Sequence, residues 1–169
     1  MPKYLKSLNI GVSFVNEKIC IFRYADDIVL LTETANDLQV LLDALHDWCC
    51  TNVMYINRTK SNIVHFRPLS VPVTDVIYLY IVNKYTYLGI VLTEHLEYNV
   101  SAKCVAQSAS RALGLLMVKC KLAGGVPYNV FTKLYDAVVW PVVSYGAAIW
   151  NCRSFSCITA VHTRAMRYY

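Results

Sequence analysis

The sequence is poor in charge. Lys, Arg, Asp and Glu make up 16% of its 169 residues, against about 25% in a typical soluble domain. A chain with so little charge and 56% hydrophobic residues can bury a core, and the shortfall predicts apolar surface that another segment or partner covers. Paired cysteine motifs are also missing. The cysteines at 20, 49, 50, 104, 120, 152 and 157 are odd in number and include no CxxC. Their spacing supports neither a zinc site nor a regular disulfide framework, and reduced thiols of the nucleus or cytoplasm are expected. No long hydrophobic run is present either. The longest, Ala137 to Trp150, has 14 residues and contains Pro141, short of the ~20 that a membrane-spanning helix needs. The opening Met1-Pro2-Lys3-Tyr4-Leu5-Lys6 lacks the apolar segment of a signal peptide, and there is no repeat or low-complexity stretch.

The net charge of +5 is compatible with nucleic acid without being specific for it. Short β-rich runs come first. Gly11 to Val15, a polar turn at Asn16-Glu17-Lys18, Ile19 to Tyr24 and Ile28 to Thr32 read as an antiparallel meander. A helix comes next. Thr34 with Asp37 resembles a capping box, and Leu38, Leu41, Leu42, Leu45, Trp48 and Cys49 form one apolar stripe that should lie on the sheet. Ile63 to Phe66 and a stretch around Val76 to Tyr80 read as strands, with a loop from Pro68 to Pro72 between them. Tyr85 to Leu92 reads as a strand or hairpin interrupted at Gly89. From about Asn99 the period changes to helical. Val105, Ala109, Ala112 and Leu116 mark one helix, which Gly124-Gly125-Val126-Pro127 ends. Phe131, Leu134, Tyr135, Val138 and Val139 mark another, which Pro141 should kink or stop.

Between the apolar strands lie two adjacent carboxylates, Asp26 and Asp27, with Arg23 as the neighbouring cation. Asp is common in turns because its side chain caps backbone N–H groups, and by composition alone an ordinary turn is the commoner explanation. The alternative is metal binding: carboxylates are the hard oxygen ligands that Mg²⁺ prefers. Two such ions about 3.5–4 Å apart can clamp the attacking and leaving oxygens of a nucleotidyl transfer.

Phe22 to Leu31, centred on Tyr24-Ala25-Asp26-Asp27, resembles the YADD box of reverse transcriptases, particularly those of non-LTR, LINE- or jockey-like retrotransposons. The order of the downstream motifs strengthens the likeness. The helix ending in Trp48-Cys49, the segment Ile56-Asn57-Arg58-Thr59-Lys60-Ser61, the segment Tyr85-Thr86-Tyr87-Leu88-Gly89-Ile90, then Leu134-Tyr135, Pro141, Ser144-Tyr145-Gly146, Trp150 and Ala165-Met166-Arg167 each resemble a family motif in the family's order.

The resemblance implies an α+β fold, with the C-terminal half of a polymerase palm over residues 1–95 and a helical, thumb-like region over 96–169. A three- to four-stranded antiparallel sheet carries the YADD hairpin, backed by the 35–50 helix. It also implies RNA-templated DNA synthesis with Mg²⁺ or Mn²⁺, an RNA template, a DNA primer and dNTP. Asp26 is a metal ligand, Asp27 a weaker one, and Lys60 a charge partner or acid for the leaving pyrophosphate. Tyr24 and Ala25 shape the turn at the primer end, and Tyr87, Leu88 and Gly89 match the primer grip. On the residues alone, Lys60 reads equally as a solvated lysine and Tyr87 as a core aromatic. Lys103, Arg111, Lys119, Lys121, Lys133, Arg153, Arg164 and Arg167 would meet phosphates without reading sequence.

Three departures from the family pattern bear on function. Arg23 stands where an aliphatic residue is commoner. Val53 stands where the family usually has Gly, a poor choice if the position needs positive φ. Asp26 is the first aspartate of the chain, so the further aspartate of the first palm strand and the fingers are not within it. The isolated chain is therefore expected to be catalytically incomplete, part of a truncated or partial copy, with an exposed apolar edge open to association. A second reading is a non-catalytic nucleic-acid- or protein-binding remnant of the same fold.

Overall fold

The computed structural model describes residues 2–70, 80–151 and 153–169. These fall into two compact units, one holding residues up to 63 with 80 and 81, the other holding 64–70 and the residues from 82 onward.

The first unit opens with helix α1 (Pro2–Ser7) and two hairpins, β1 (Val12–Phe14) with β2 (Glu17–Ile19) and β3 (Ile21–Tyr24) with β4 (Asp27–Leu30). Helix α2 (Ala35–Thr51) follows, then the short strands β5 (Asn62–Ile63) and β6 (Tyr80–Ile81), which pair in parallel. Thr34 caps α2 as its side chain predicts: Oγ1 accepts the Asp37 N–H at 3.1 Å. The apolar stripe of α2 is buried at Leu41, Leu45 and Cys49, with Ala44 beside them. Leu41 and Ala44 pack with Leu5 of α1 and with Cys20, against Ile21 and Leu30 of the second hairpin. Burial of this kind contributes about 1.5–3 kcal/mol for each large aliphatic side chain.

α2 ends in a Schellman motif. The Met54 N–H reaches Cys49 C=O at 2.9 Å and the Val53 N–H reaches Cys50 C=O at 3.3 Å. This closure puts Val53 at φ 54°. The position does need positive φ, and a β-branched residue holds it at a cost of about 1–2 kcal/mol.

The strands depart from the sequence-based expectation in several places. No sheet of three or four strands forms among the described residues; there are four two-stranded sheets, three antiparallel and one parallel. The strands are two to four residues long and each antiparallel pair joins sequence neighbours, so every antiparallel pairing is local. The run Ile19 to Tyr24 is broken at Cys20, whose side chain is buried against α1 and α2 while its C=O accepts the Leu31 N–H at 2.9 Å. The first turn is Val15-Asn16, because Phe14 pairs with Glu17 and Ser13 with Lys18. Glu17 and Lys18 are polar because that ribbon is exposed, not because they turn the chain. α1 has no counterpart among the expected elements, since six residues carry too little periodicity to show. The Ile63 to Phe66 strand shrinks to β5. The expected strand around Val76 to Tyr80 lies outside the described residues except for Tyr80.

The second unit opens with the hairpin β7 (Lys84–Tyr87) and β8 (Ile90–Thr93), interrupted at Gly89 as expected. Helices α3 (Asn99–Leu122), α4 (Tyr128–Val138), α5 (Trp140–Ser144), α6 (Ala147–Trp150) and α7 (Ser156–Met166) follow. The buried face of α3 is Ala106, Ala109, Leu113, Leu116 and Cys120, packed with Phe131 of α4, Val143 of α5, and Val161 and Ala165 of α7. α4 stops at Val138, and Pro141 falls in the first turn of α5, where its missing N–H has no partner to lose. Arg67 is tied to this unit by an ion pair with Glu94 at 3.0 Å and by its N–H to Glu94 C=O. Among the described residues no helix is long and apolar enough to cross a membrane.

Candidate active site

The β3–β4 register pairs Phe22 with Val29, Arg23 with Ile28 and Tyr24 with Asp27, leaving Ala25 and Asp26 as a two-residue turn. Apolar residues on both arms hold the strands together, and the loop length fixes the register. Ala25 takes φ 51°, a left-handed conformation that costs an L-residue about 1–2 kcal/mol. Asp26 sits at the turn and Asp27 opens β4. Tyr24, Ala25, Asp26 and Asp27 are all exposed.

Among the described residues neither carboxylate has a hydrogen-bond or ion-pair partner, and Arg23 bridges to neither. An Asp that merely caps a turn accepts backbone N–H groups; these do not. The two carboxylates are neighbours in sequence, uncommitted and exposed, and as hard donors they fit Mg²⁺ or Mn²⁺. No group of three or more His, Cys, Asp or Glu side chains gathers among the described residues.

Lys60 lies on a second turn of the same unit, organised by Asn57. Asn57 Oδ1 accepts from Thr59 Oγ1 at 2.7 Å and from the Lys60 N–H at 3.2 Å, and Asn57 C=O accepts from Ser61 Oγ at 2.9 Å. The Asn, Thr and Ser around Lys60 therefore hold the backbone that presents it, and Lys60 is exposed. Sequence reasoning gave these three residues no role of their own, although an Asn at the start of a polar turn commonly bonds backbone a few residues on.

Tyr87, Leu88 and Gly89 belong to the second unit. Leu88 and Gly89 form the β7–β8 turn at φ 46° and 77°, both left-handed as a tight hairpin of this hand requires. Tyr145 covers that turn. Its hydroxyl donates to Leu88 C=O at 2.7 Å, and a Cβ on Gly89 would lie 3.3 Å from its Cε1. Trp150, 1% exposed, donates Nε1–H to Tyr145 C=O at 2.8 Å. Three separated motifs, Tyr87-Leu88-Gly89, Tyr145-Gly146 and Trp150, thus form one clasp. Tyr87 itself is half-buried.

The family model of the reverse transcriptase (RNA-dependent DNA polymerase) matches residues 3–92, from α1 into β8 and over more than half of the chain. The chain belongs to the reverse transcriptase family. Reverse transcriptases generally use divalent metal ions and bind a template and a primer. The matched span includes Asp26, Asp27, Lys60 and the Tyr87–Gly89 turn, and stops before α3. No curated protein and no solved structure matches the chain significantly.

Proposed function

We propose that this chain is the part of a non-LTR, LINE- or jockey-like retrotransposon reverse transcriptase that carries the acidic turn. In this reading residues 1–95 are the C-terminal half of the palm and residues 96–169 a thumb-like region. The supporting observation is the pair of adjacent, exposed, uncommitted carboxylates at the apex of a hairpin within the family-matched span. Asp26, with Asp27 more weakly, holds the Mg²⁺ or Mn²⁺, which when bound supplies Lewis-acid stabilisation to the oxygens of nucleotidyl transfer. Lys60 is a cationic partner for the leaving pyrophosphate. Tyr24 and Ala25 shape the primer end, and Tyr87, Leu88 and Gly89 contact the primer.

Two adjacent carboxylates are too few to fix a two-ion site, and no group of three or more His, Cys, Asp or Glu side chains gathers among the described residues. The chain by itself therefore does not incorporate nucleotides; a further carboxylate beside the turn completes the site. Exposed apolar side chains on the hairpins, Phe14 and Phe22 among them, provide a surface for association.

The test has two arms. Mn²⁺ titration with NMR detection is expected to broaden resonances around Asp26 and Asp27, and Asp26→Asn to abolish this; broadening elsewhere, or none, would sink the metal role. Primer extension on an RNA template is expected to show no incorporation, and Mg²⁺-dependent incorporation that Asp26→Ala removes would refute the incompleteness.

A further inference from the structure

The face of α2 that turns away from the core is exposed and acidic. Leu41, Ala44, Leu45 and Cys49 are buried. Asp43, His46, Asp47 and Cys50 are exposed, and they recur at the i, i+3, i+4, i+7 spacing that puts side chains on one face of a helix. The helix carries Asp37, Asp43 and Asp47 and no Lys or Arg. The negative end of the helix dipole therefore adds to these carboxylates, with no side-chain Lys or Arg in the last turn to offset it. The polymerase reading uses none of the four exposed side chains.

At the end of that face Cys50 Sγ lies 3.5 Å from His46 Nε2. A tetrahedral zinc ion has Zn–S bonds of about 2.3 Å and Zn–N bonds of about 2.0–2.1 Å. Two such bonds at ~109° put sulfur and nitrogen about 3.5 Å apart, so the pair already has the bite of one tetrahedral edge. Cys50 and Cys104 are the exposed cysteines among the described residues, and Cys104 has no histidine within bonding distance. The cysteine spacings alone contain no zinc motif; here a histidine one helical turn away supplies the second donor.

We infer that His46 and Cys50 form a two-donor site for a borderline divalent cation, Zn²⁺, with water completing a four-coordinate shell. Imidazole and thiolate are donors that favour Zn²⁺ over Mg²⁺, in contrast to the all-oxygen acidic turn. Asp43 and Asp47 contribute charge, not bonds, because no three ligating side chains gather among the described residues. The same surroundings argue against Cys50 as a nucleophile. A reactive thiolate is favoured at helix N-termini and beside Lys or Arg, whereas Cys50 sits in the last turn of α2 with two carboxylates on its face. A bound dication offsets that negative charge together with the thiolate it requires. It also clamps two residues one turn apart, and so braces the turn in which Cys50 C=O accepts the Val53 N–H.

The test is titration of the reduced, metal-free full chain with Co²⁺, a zinc substitute whose bond to thiolate absorbs in the near ultraviolet. A sulfur-to-cobalt charge-transfer band is expected to saturate at one ion per chain and to be abolished by Cys50→Ser. His46→Ala should need at least about tenfold more Co²⁺, since losing even a group behind a ligand costs about 10–100-fold. Zn²⁺ should displace the cobalt and Mg²⁺ should not, and Cys104→Ser and Asp26→Asn should keep the band. With free Zn²⁺ at about 100 times the dissociation constant, amides in the last turn of α2 should exchange up to about a hundredfold more slowly. In Cys50→Ser, Zn²⁺ should leave that exchange unchanged. The substituted α2 positions are exposed, and unchanged circular dichroism shows that the variants fold. A band that survives Cys50→Ser, or zinc protection away from α2, overturns the site. One ion per two chains overturns the water-completed shell in favour of a second copy as donor. No band at all overturns the proposal and spares the acidic turn, where Mg²⁺ or Mn²⁺ binds without a thiolate.

Discussion

The helix that backs the acidic turn and the long helix of the second unit stop by the same device with different residues. α2 closes with Val53 at φ 54°, whereas α3 closes with Gly124 at φ 80° and the Gly125 N–H on Cys120 C=O at 3.0 Å. The hairpins differ in the same sense. The β3–β4 turn holds Ala25 in the left-handed region at an exposed position, and the β7–β8 turn sets Gly89 beneath Tyr145. Both units hold side-chain-bearing residues in the left-handed region, Val15, Ala25 and Val53 among them in the first and Leu88 and Leu96 in the second, but the second unit places glycines there as well, at Gly89, Gly124, Gly125 and Gly146, against Gly11 alone in the first. Backbone held out of its preferred region at an exposed turn is what a ligand-binding apex can tolerate; a packed clasp needs none at the glycine.

Breaking the clasp should have the largest effect. Trp150→Ala removes a nearly fully buried indole and its bond to Tyr145 C=O, and is expected to cost about 3–5 kcal/mol. Urea denaturation would measure the loss, and hydrogen exchange should place it in the second unit; protection lost first in α2 would contradict that placement.

The comparison of helix ends can be sharpened by exchanging the residues. Val53→Gly is expected to stabilise the first unit by about 1–2 kcal/mol, less the entropy of glycine, and Gly124→Val to destabilise the second by a similar amount. Hydrogen exchange at the C-terminal amides of α2 and α3 would report both. Equal effects of one sign would show that left-handed strain does not separate the units.

Tyr145→Phe keeps the ring over Gly89 and deletes one hydrogen bond. Because the Leu88 carbonyl can turn to water, the expected loss is at most about 1 kcal/mol. A loss as large as that of Trp150→Ala would mean that the hydroxyl, not the packing, holds the turn.

The smallest effects are those of pH, and they differ in sign. The Ser13 N–H on Glu33, at 3.0 Å, is the main reason that the Glu33 carboxyl lies below its ordinary value of 4.5. Its contribution to the first unit is present above that value and lost as pH falls through the lowered one. Burial, with a smaller part from Asp136, raises the Tyr135 phenol above 10.0, so the second unit loses stability as pH climbs past 10. Glu33→Gln should flatten the acid side and Tyr135→Phe the alkaline side in pH-dependent melting; no change in either would remove the assignment.

Much of the local structure was legible in the residues. Thr34 and the Leu stripe announced α2 with its cap, the Gly124-Gly125 pair the end of α3, Gly89 the second hairpin turn, and Pro141 the break after α4. Periodicity and cap chemistry act over a few residues, so they survive in sequence. Whether the strands would join one sheet was not legible, because pairing beyond sequence neighbours depends on contacts that no local pattern encodes. The two carboxylates were visible, but that they accept no backbone N–H was not.

The sequence by itself determined α2, α3 and α4 in their order, the placement of Asp26 and Asp27 between two apolar strands, and the family motifs in succession. Each of these is a matter of residue type and spacing. Only the tertiary structure decided that Tyr145, bonded by Trp150, closes over Leu88 and Gly89, and that Arg164 joins Ser110. These pairs lie up to 57 residues apart, and such contacts form only once helices and hairpins have packed.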